Sequence, residues 1–111
     1  MLIDFTSLTE FTLENMNGGS GQVAAKMIVN SDGKVIVSKI RPKSSIGKHL
    51  HRTSNDINFV ISGQGLAICG ESEETLSPGV CHYCPKGSEH SIVNTGTEDL
   101  VLFTVVQELP A

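Results

Sequence analysis

From residue 21 onward, apolar and polar positions come in short runs with no helical period. QVAAKMIVN (22–30) and KVIVSKI (34–40) are rich in β-branched residues and flank Ser31-Asp32-Gly33. An Asp-Gly pair between two such runs predicts a hairpin. Pro42 to Gly47 reads as a loop. Further short strands are expected near 48–51, 56–62, 64–69, 74–77, 80–84, 90–94 and 99–107, separated by Gly63, Gly65, Gly70, Gly79, Gly87 and Gly96. About eight short strands at this spacing predict an all-β sandwich or barrel that closes its own edges. Residues 1–19 follow a different pattern. TSLTEFTLENMNGG suits a short helix or an extended arm ending at Gly18–Gly19. The expected division is an N-terminal arm over residues 1–20 and a β domain over residues 21–111.

Length and composition narrow the picture. A chain of 111 residues is the size of one domain. Hydrophobic residues make up 39% and charged residues 18%, as in a globular protein. The formal net charge of −4 leaves no basic footprint for nucleic acid or an anionic membrane. No apolar run approaches the ~20 residues of a membrane span. MLIDFTSLTEFTLEN lacks the basic start and apolar run of a signal peptide, so a cytoplasmic location with reduced thiols is expected.

The three cysteines, Cys69, Cys81 and Cys84, do not describe a disulfide framework. Cys81 and Cys84 form a C-x-x-C. Three apart in a strand, they face opposite sides and read as small core hydrophobes. Phe59, Tyr83 and Phe103 are spread over three strands, where they are expected to pack the barrel rather than to stack bases. ESEET (71–75) reads as a solvated hairpin tip. No phosphate-binding loop and no nucleophile elbow is present.

The chemistry begins at GKHLHRTSND (47–56), which holds two of the four histidines. In a strand, His49 and His51 face the same way, about 7 Å apart. Alone, the pair is either two solvated imidazoles or half of a metal site. Asp56 lies just beyond a short turn. His90 follows a Pro85-Lys86-Gly87 reversal that can bring it beside the 49–51 strand. Three imidazoles and one carboxylate make an N/O donor set suited to a divalent transition metal: Mn, Fe, Co, Ni, Cu or Zn.

These residues also carry a resemblance. Gly79, VCHYC, Pro85, Lys86, Gly87, SE, His90, SIV, Asn94 matches every fixed position of the second cupin motif, G-x5-P-x-G-x2-H-x3-N. The first motif, G-x5-H-x-H-x3–4-E-x6-G, is matched at His49, His51 and Gly63. It departs at its leading glycine, which is Lys43, and at its acid, which is Asp56 rather than Glu. The sequence therefore resembles the cupin superfamily over residues 43–94. The resemblance implies a single-domain double-stranded β-helix (a jelly-roll barrel) with one metal held inside by His49, His51, Asp56 and His90. Asp56, one methylene short, either ligates directly, acts through a water or orients a histidine. Asn58 shares its face as a pocket candidate, either a fallback oxygen donor or a group that hydrogen-bonds substrate. His82 is the second pocket candidate; it either looks toward the ion or is a core histidine bonded to a backbone carbonyl.

Small cupins carry out many chemistries. The expected function is metal-dependent catalysis on a small polar metabolite such as a sugar acid, keto acid or dihydroxy compound, with isomerase, lyase and dioxygenase chemistry all open. His82 and Asn58 are then the first candidates for proton transfer or positioning. The alternative is a non-catalytic binding or sensor protein. The resemblance also implies a homodimer, and no nucleic-acid or membrane partner is expected.

Overall fold

In the computed structural model, which describes residues 1–110, ten strands run in chain order. They are β1 (Phe11–Glu14), β2 (Gln22–Asn30), β3 (Gly33–Ile40), β4 (Ser45–Leu50), β5 (Ser54–Ser62), β6 (Gly65–Cys69), β7 (Ser72–Leu76), β8 (Cys81–Cys84), β9 (Glu89–Asn94) and β10 (Leu100–Glu108). Two antiparallel sheets face one another. One has six strands in the order β1-β2-β3-β10-β5-β8; the other has four in the order β4-β9-β6-β7. This is the jelly roll that the cupin resemblance implied, and a closed form of the sandwich or barrel expected from the strand spacing.

The first hairpin forms where the Asp-Gly signal sits. β2 and β3 pair from Val23↔Ile40 to Asn30↔Gly33, leaving a two-residue turn at Ser31–Asp32. Pro42–Gly47 is only half loop, because β4 begins at Ser45. The turn before it explains the missing glycine of the first motif. Ser44 N–H donates to Arg41 O at 3.1 Å, Pro42 follows Arg41, and Lys43 has φ +62°. This is a type II turn, with proline at its first central position and a left-handed residue at its second. Glycine is the usual occupant there; Lys43 adopts the conformation without being glycine. At Gly63 (φ +92°), an added Cβ would lie 2.4 Å from Asp99 O, so no side chain fits.

Strand alternation builds the interior. On β5, Ser54, Asp56, Asn58 and Val60 point inward. Val23, Ile40, Val60, Ala67, Leu76, Ile92, Leu100 and Leu102 form one contiguous apolar core. Burying a side chain of Val, Ile or Leu contributes roughly 1.5–3 kcal/mol over leaving it exposed. Cys84 is buried as a core thiol, but Cys81, three residues away and so on the opposite side of the strand, is exposed and not the core residue expected. Two aromatics correct the expectation. Phe59 and Tyr83 are 43% and 50% exposed, because odd positions of β5 and β8 face out of the six-stranded sheet. Phe103 also faces outward, and Phe5 packs on it edge-on with ring centroids 6.4 Å apart.

The N-terminal arm is extended, as one of the two expectations had it, apart from single 3-10 turns, and it is not free. β1 pairs with β2, and a 3-10 turn at Met16–Gly18 leads into Ser20, whose N–H donates to Ser45 Oγ at 3.0 Å. The arm thus lies across its own chain and reaches the mouth of the barrel.

Candidate metal centre

His49 and His90 are direct partners in the β4–β9 ladder, after a bulge between Ile46 and His49. The bulge re-aims the strand just before its ligands. His51 lies one residue past the end of β4 and is held from behind by the Pro85–Ser88 turn. Gly87 N–H donates to His51 O at 2.7 Å, and His51 N–H donates to Ser88 O at 3.1 Å. Gly87 has φ +88°, so its glycine serves this reversal. The turn expected to bring His90 to the 49–51 strand does so by bonding to His51 itself.

Asp56 enters from the facing sheet on β5, opposite Cys84 of β8. Its Oδ2 lies 3.0 Å from His90 Nε2 and 3.2 Å from His51 Nε2. His90 Nε2 is also 3.0 Å from both His49 Nε2 and His51 Nε2. One ligand atom from each of the four residues thus falls within 4.8 Å of every other.

Hydrogen bonds on the far side of each ring fix what these atoms offer. His49 Nδ1–H donates to Gly47 O at 2.7 Å, which leaves Nε2 with a bare lone pair. His82 Nδ1–H donates to the Glu74 carboxylate at 2.7 Å, so neutral His82 presents a bare Nε2. His90 stands between two acceptors, that nitrogen 2.8 Å from its Nδ1 and Asp56 Oδ2 3.0 Å from its Nε2; with its proton on Nδ1, Nε2 is bare. In that form two bare nitrogens, of His49 and His90, face one another at 3.0 Å beside a carboxylate oxygen. Without a cation this is lone pair against lone pair. A divalent ion satisfies all of them at once, so the residues present fit a transition metal.

The electrostatics agree. Burial holds His49 and His51 below the usual imidazole range and so keeps them neutral, as metal ligands must be. Burial alone would push the Asp56 carboxyl up. A hydrogen bond from His90 in its Nε2–H form, one from Asn58 and the nearby imidazoles outweigh it and hold Asp56 low, so it is ionised. Burial pushes the neighbouring Cys84 thiol up to about 12, which leaves it protonated beside the site.

Asn58 lies on the cavity wall, but its oxygen is committed. Asn58 Oδ1 accepts from Thr104 Oγ1 at 2.7 Å while Asn58 Nδ2 donates to Asp56 Oδ2 at 3.2 Å. It therefore orients the carboxylate instead of serving as a spare donor. His82 does not line the cavity. It sits behind His90, 1% exposed, with both ring nitrogens used, and its partners are a carboxylate and an imidazole rather than a backbone carbonyl. Glu74 corrects the reading of ESEET as a solvated tip: the tip is only Gly70–Glu71, and Glu74 belongs to β7.

The cluster forms part of the wall of a cavity of about 280 Å³. Leu13, Met16, Met27, Ile36 and Leu102 supply apolar walls, and Lys34 is the one cationic side chain among the described lining residues. Leu13 and Met16 come from the arm, to which no functional residue was assigned from sequence. Thr104 was equally unmarked, although its place on an inward position of β10 was the available signal.

A family model described as the cupin domain (Cupin_2) matches residues 36–106, well over half of the chain. A curated relative from Thermotoga maritima named "Oxalate-binding protein" is 27% identical over 96% of this chain and 93% of its own length. A solved structure described as a predicted oxalate decarboxylase, also from Thermotoga maritima, superposes with a TM-score of 0.91. It is 26% identical and covers 98% of this chain and all of its own. The Schizosaccharomyces pombe Cnp3 cupin domain, 10% identical, superposes with a TM-score of 0.78 over 96% of this chain and 72% of its own, a likeness of fold alone. Fold, both sequence motifs and the family match converge, and the chain belongs to the cupin domain family.

Proposed function

We propose that this chain holds one divalent transition metal through His49, His51, Asp56 and His90 and, beside it, takes up a small acid rich in oxygen donors. The observation that carries the reading is the convergence of imidazole nitrogens and one carboxylate oxygen on the wall of one cavity. When bound, the ion supplies Lewis acidity toward a carboxylate, carbonyl or enediol oxygen. Lys34 adds positive charge to the cavity and favours anions. The name of the Thermotoga maritima relative supports oxalate as the first compound to try, beside keto acids, sugar acids and dihydroxy compounds.

Proton transfer by His82 has no support: it does not reach the cavity, and the Asn58 amide cannot titrate. Among the described lining residues the only carboxylate and imidazoles are the four cluster residues. That favours binding, or turnover needing no acid or base from the protein. It is the observation behind the second reading, a non-catalytic binding or sensor protein.

Elemental analysis of protein purified without a histidine tag, followed by calorimetric titration of the loaded protein with oxalate, pyruvate, a uronate and a catechol, tests the proposal. Expected are about one ion per chain and metal-dependent binding of at least one acid. A protein that takes up no metal overturns it. Turnover in the same panel separates the two readings. A cytoplasmic location and a homodimer are part of the proposal. The exposed apolar side chains Phe59, Ile61 and Tyr83 on one sheet face support the latter.

A further inference from the structure

The four-residue cluster does not explain His82 or Glu74. His82 is a fully buried imidazole on β8, the outermost strand of the six-stranded sheet, and Glu74 stands on β7, the outermost strand of the other. The two sheet edges meet here, and a continuous polar chain runs across them: Glu74 Oε1 to His82 Nδ1 at 2.7 Å, then His82 Nε2 to His90 Nδ1 at 2.8 Å. The His82 and His90 rings lie nearly parallel, 23° apart with centroids at 5.0 Å.

An imidazole has one mobile proton and two nitrogens. Whichever nitrogen is bonded to an acceptor keeps the proton. A carboxylate can only accept, so His82 must place its proton on Nδ1. Its Nε2 can then only accept, which draws the His90 proton to Nδ1. Asp56 Oδ2, 3.0 Å from His90 Nε2, pulls the same proton the other way, so the Glu74–His82 pair and Asp56 compete for it. We propose that Glu74, acting through His82, is the positioning residue that keeps the proton off His90 Nε2, the nitrogen turned to the metal. Remote as it is, a half-exposed carboxylate on an edge strand thus sets the state of a buried ligand. Outer groups that fix a ligand's tautomer commonly contribute 10–100-fold to metal affinity. The inference rests on the metal reading for its purpose, but not for its test.

The test uses nitrogen-15 chemical shifts of the His90 ring in the metal-free protein at neutral pH, in wild type, Glu74→Gln and Glu74→Leu. Because the Glu74 side chain is 45% exposed, both substitutions are tolerable for folding. Wild type is expected to show the Nδ1–H form of His90. Glu74→Leu removes the acceptor, frees His82 to donate from Nε2, and is expected to shift His90 toward Nε2–H. Glu74→Gln keeps an acceptor oxygen and restores the wild-type pattern. Chelator competition should show 10–100-fold weaker metal binding in Glu74→Leu, with Glu74→Gln nearer to wild type. If His90 keeps the same tautomer in Glu74→Leu, or wild type already shows Nε2–H, the inference is overturned. A wild type that binds no metal, yet whose His90 tautomer follows Glu74, defeats the metal reading and leaves the relay standing.

Discussion

The two ends of the barrel are built on the same strands and differ in kind. Along β5, Asp56 and Asn58 point inward at one end and Val60 at the other; along β10, Thr104 gives way to Leu102 and Leu100. On β9 His90 is followed by Ile92, and on β3 Ser38 is followed by Ile40. One end is a dry core held by burial. The other gathers the buried Asp56, Asn58, Thr104, His82 and His90, tied together by hydrogen bonds except at the bare nitrogens of the cluster. The polar end gains little net stability from its bonds, because each replaces one to water. The apolar end therefore carries the free energy that keeps three imidazoles and a carboxylate in contact.

That division makes the ends separable. The largest effect expected is at the polar end: His49→Ala/His90→Ala should fall from about one ion per chain to none while circular dichroism keeps its β signature. Loss of fold along with the ion would mean that the ends are not independent. Next, Leu100→Ala at the apolar end, fully buried now, should cost about 2–5 kcal/mol in urea denaturation. Below its transition it should bind metal as wild type does. A parallel loss of metal affinity would show that core packing sets the ligand geometry.

A smaller effect is expected from pH. His49 and His51 are held below the ordinary value of 6.5 in the folded state. Between that value and their lowered ones, the unfolded chain binds more protons than the folded one. Stability of the metal-free protein should therefore fall as pH drops below 6.5. Asp56, held below 3.8, contributes stability above that value and loses it only at still lower pH. Melting curves should show the histidine window first, and His49→Ala should narrow it; an unchanged slope would remove burial as its cause. The smallest effect belongs to the type II turn at the apolar end. A left-handed non-glycine residue costs roughly 1–2 kcal/mol, and glycine returns part of that as chain entropy. Lys43→Gly should thus stabilise by about 0.5–1 kcal/mol. Equal stability of the two proteins would mean that the lysine side chain compensates elsewhere.

What could be read from the sequence follows the same division. Glycines and the proline of the turns name themselves by backbone chemistry, and His49, His51 and His90 sit at spacings that a strand and a turn convert directly into one face, with Asp56 opposite them on the other sheet. Strand parity gave the burial of Cys84 and Asn58. The same parity turns the adjacent Phe59 and Tyr83 outward; placing them inside the barrel followed their aromatic character against it. Glu74 was illegible for another reason. Its strand lies at a sheet edge with acidic neighbours, and only the meeting of β7 with β8 turns one of those acids inward to His82. Leu13 and Met16 needed the path of the arm, which depends on where β1 pairs.

The cross-strand pairing of His49 with His90 joins residues 41 apart in sequence. An unfolded chain offers no such pair, so an ion captured by the cluster binds the native state alone. Free metal at 100 times its dissociation constant would then hold the fold together by about 2.7 kcal/mol. For a domain of this size that is a rise on the order of 10–20 °C in Tm. The thermal midpoint of this protein would register how much metal its surroundings supply.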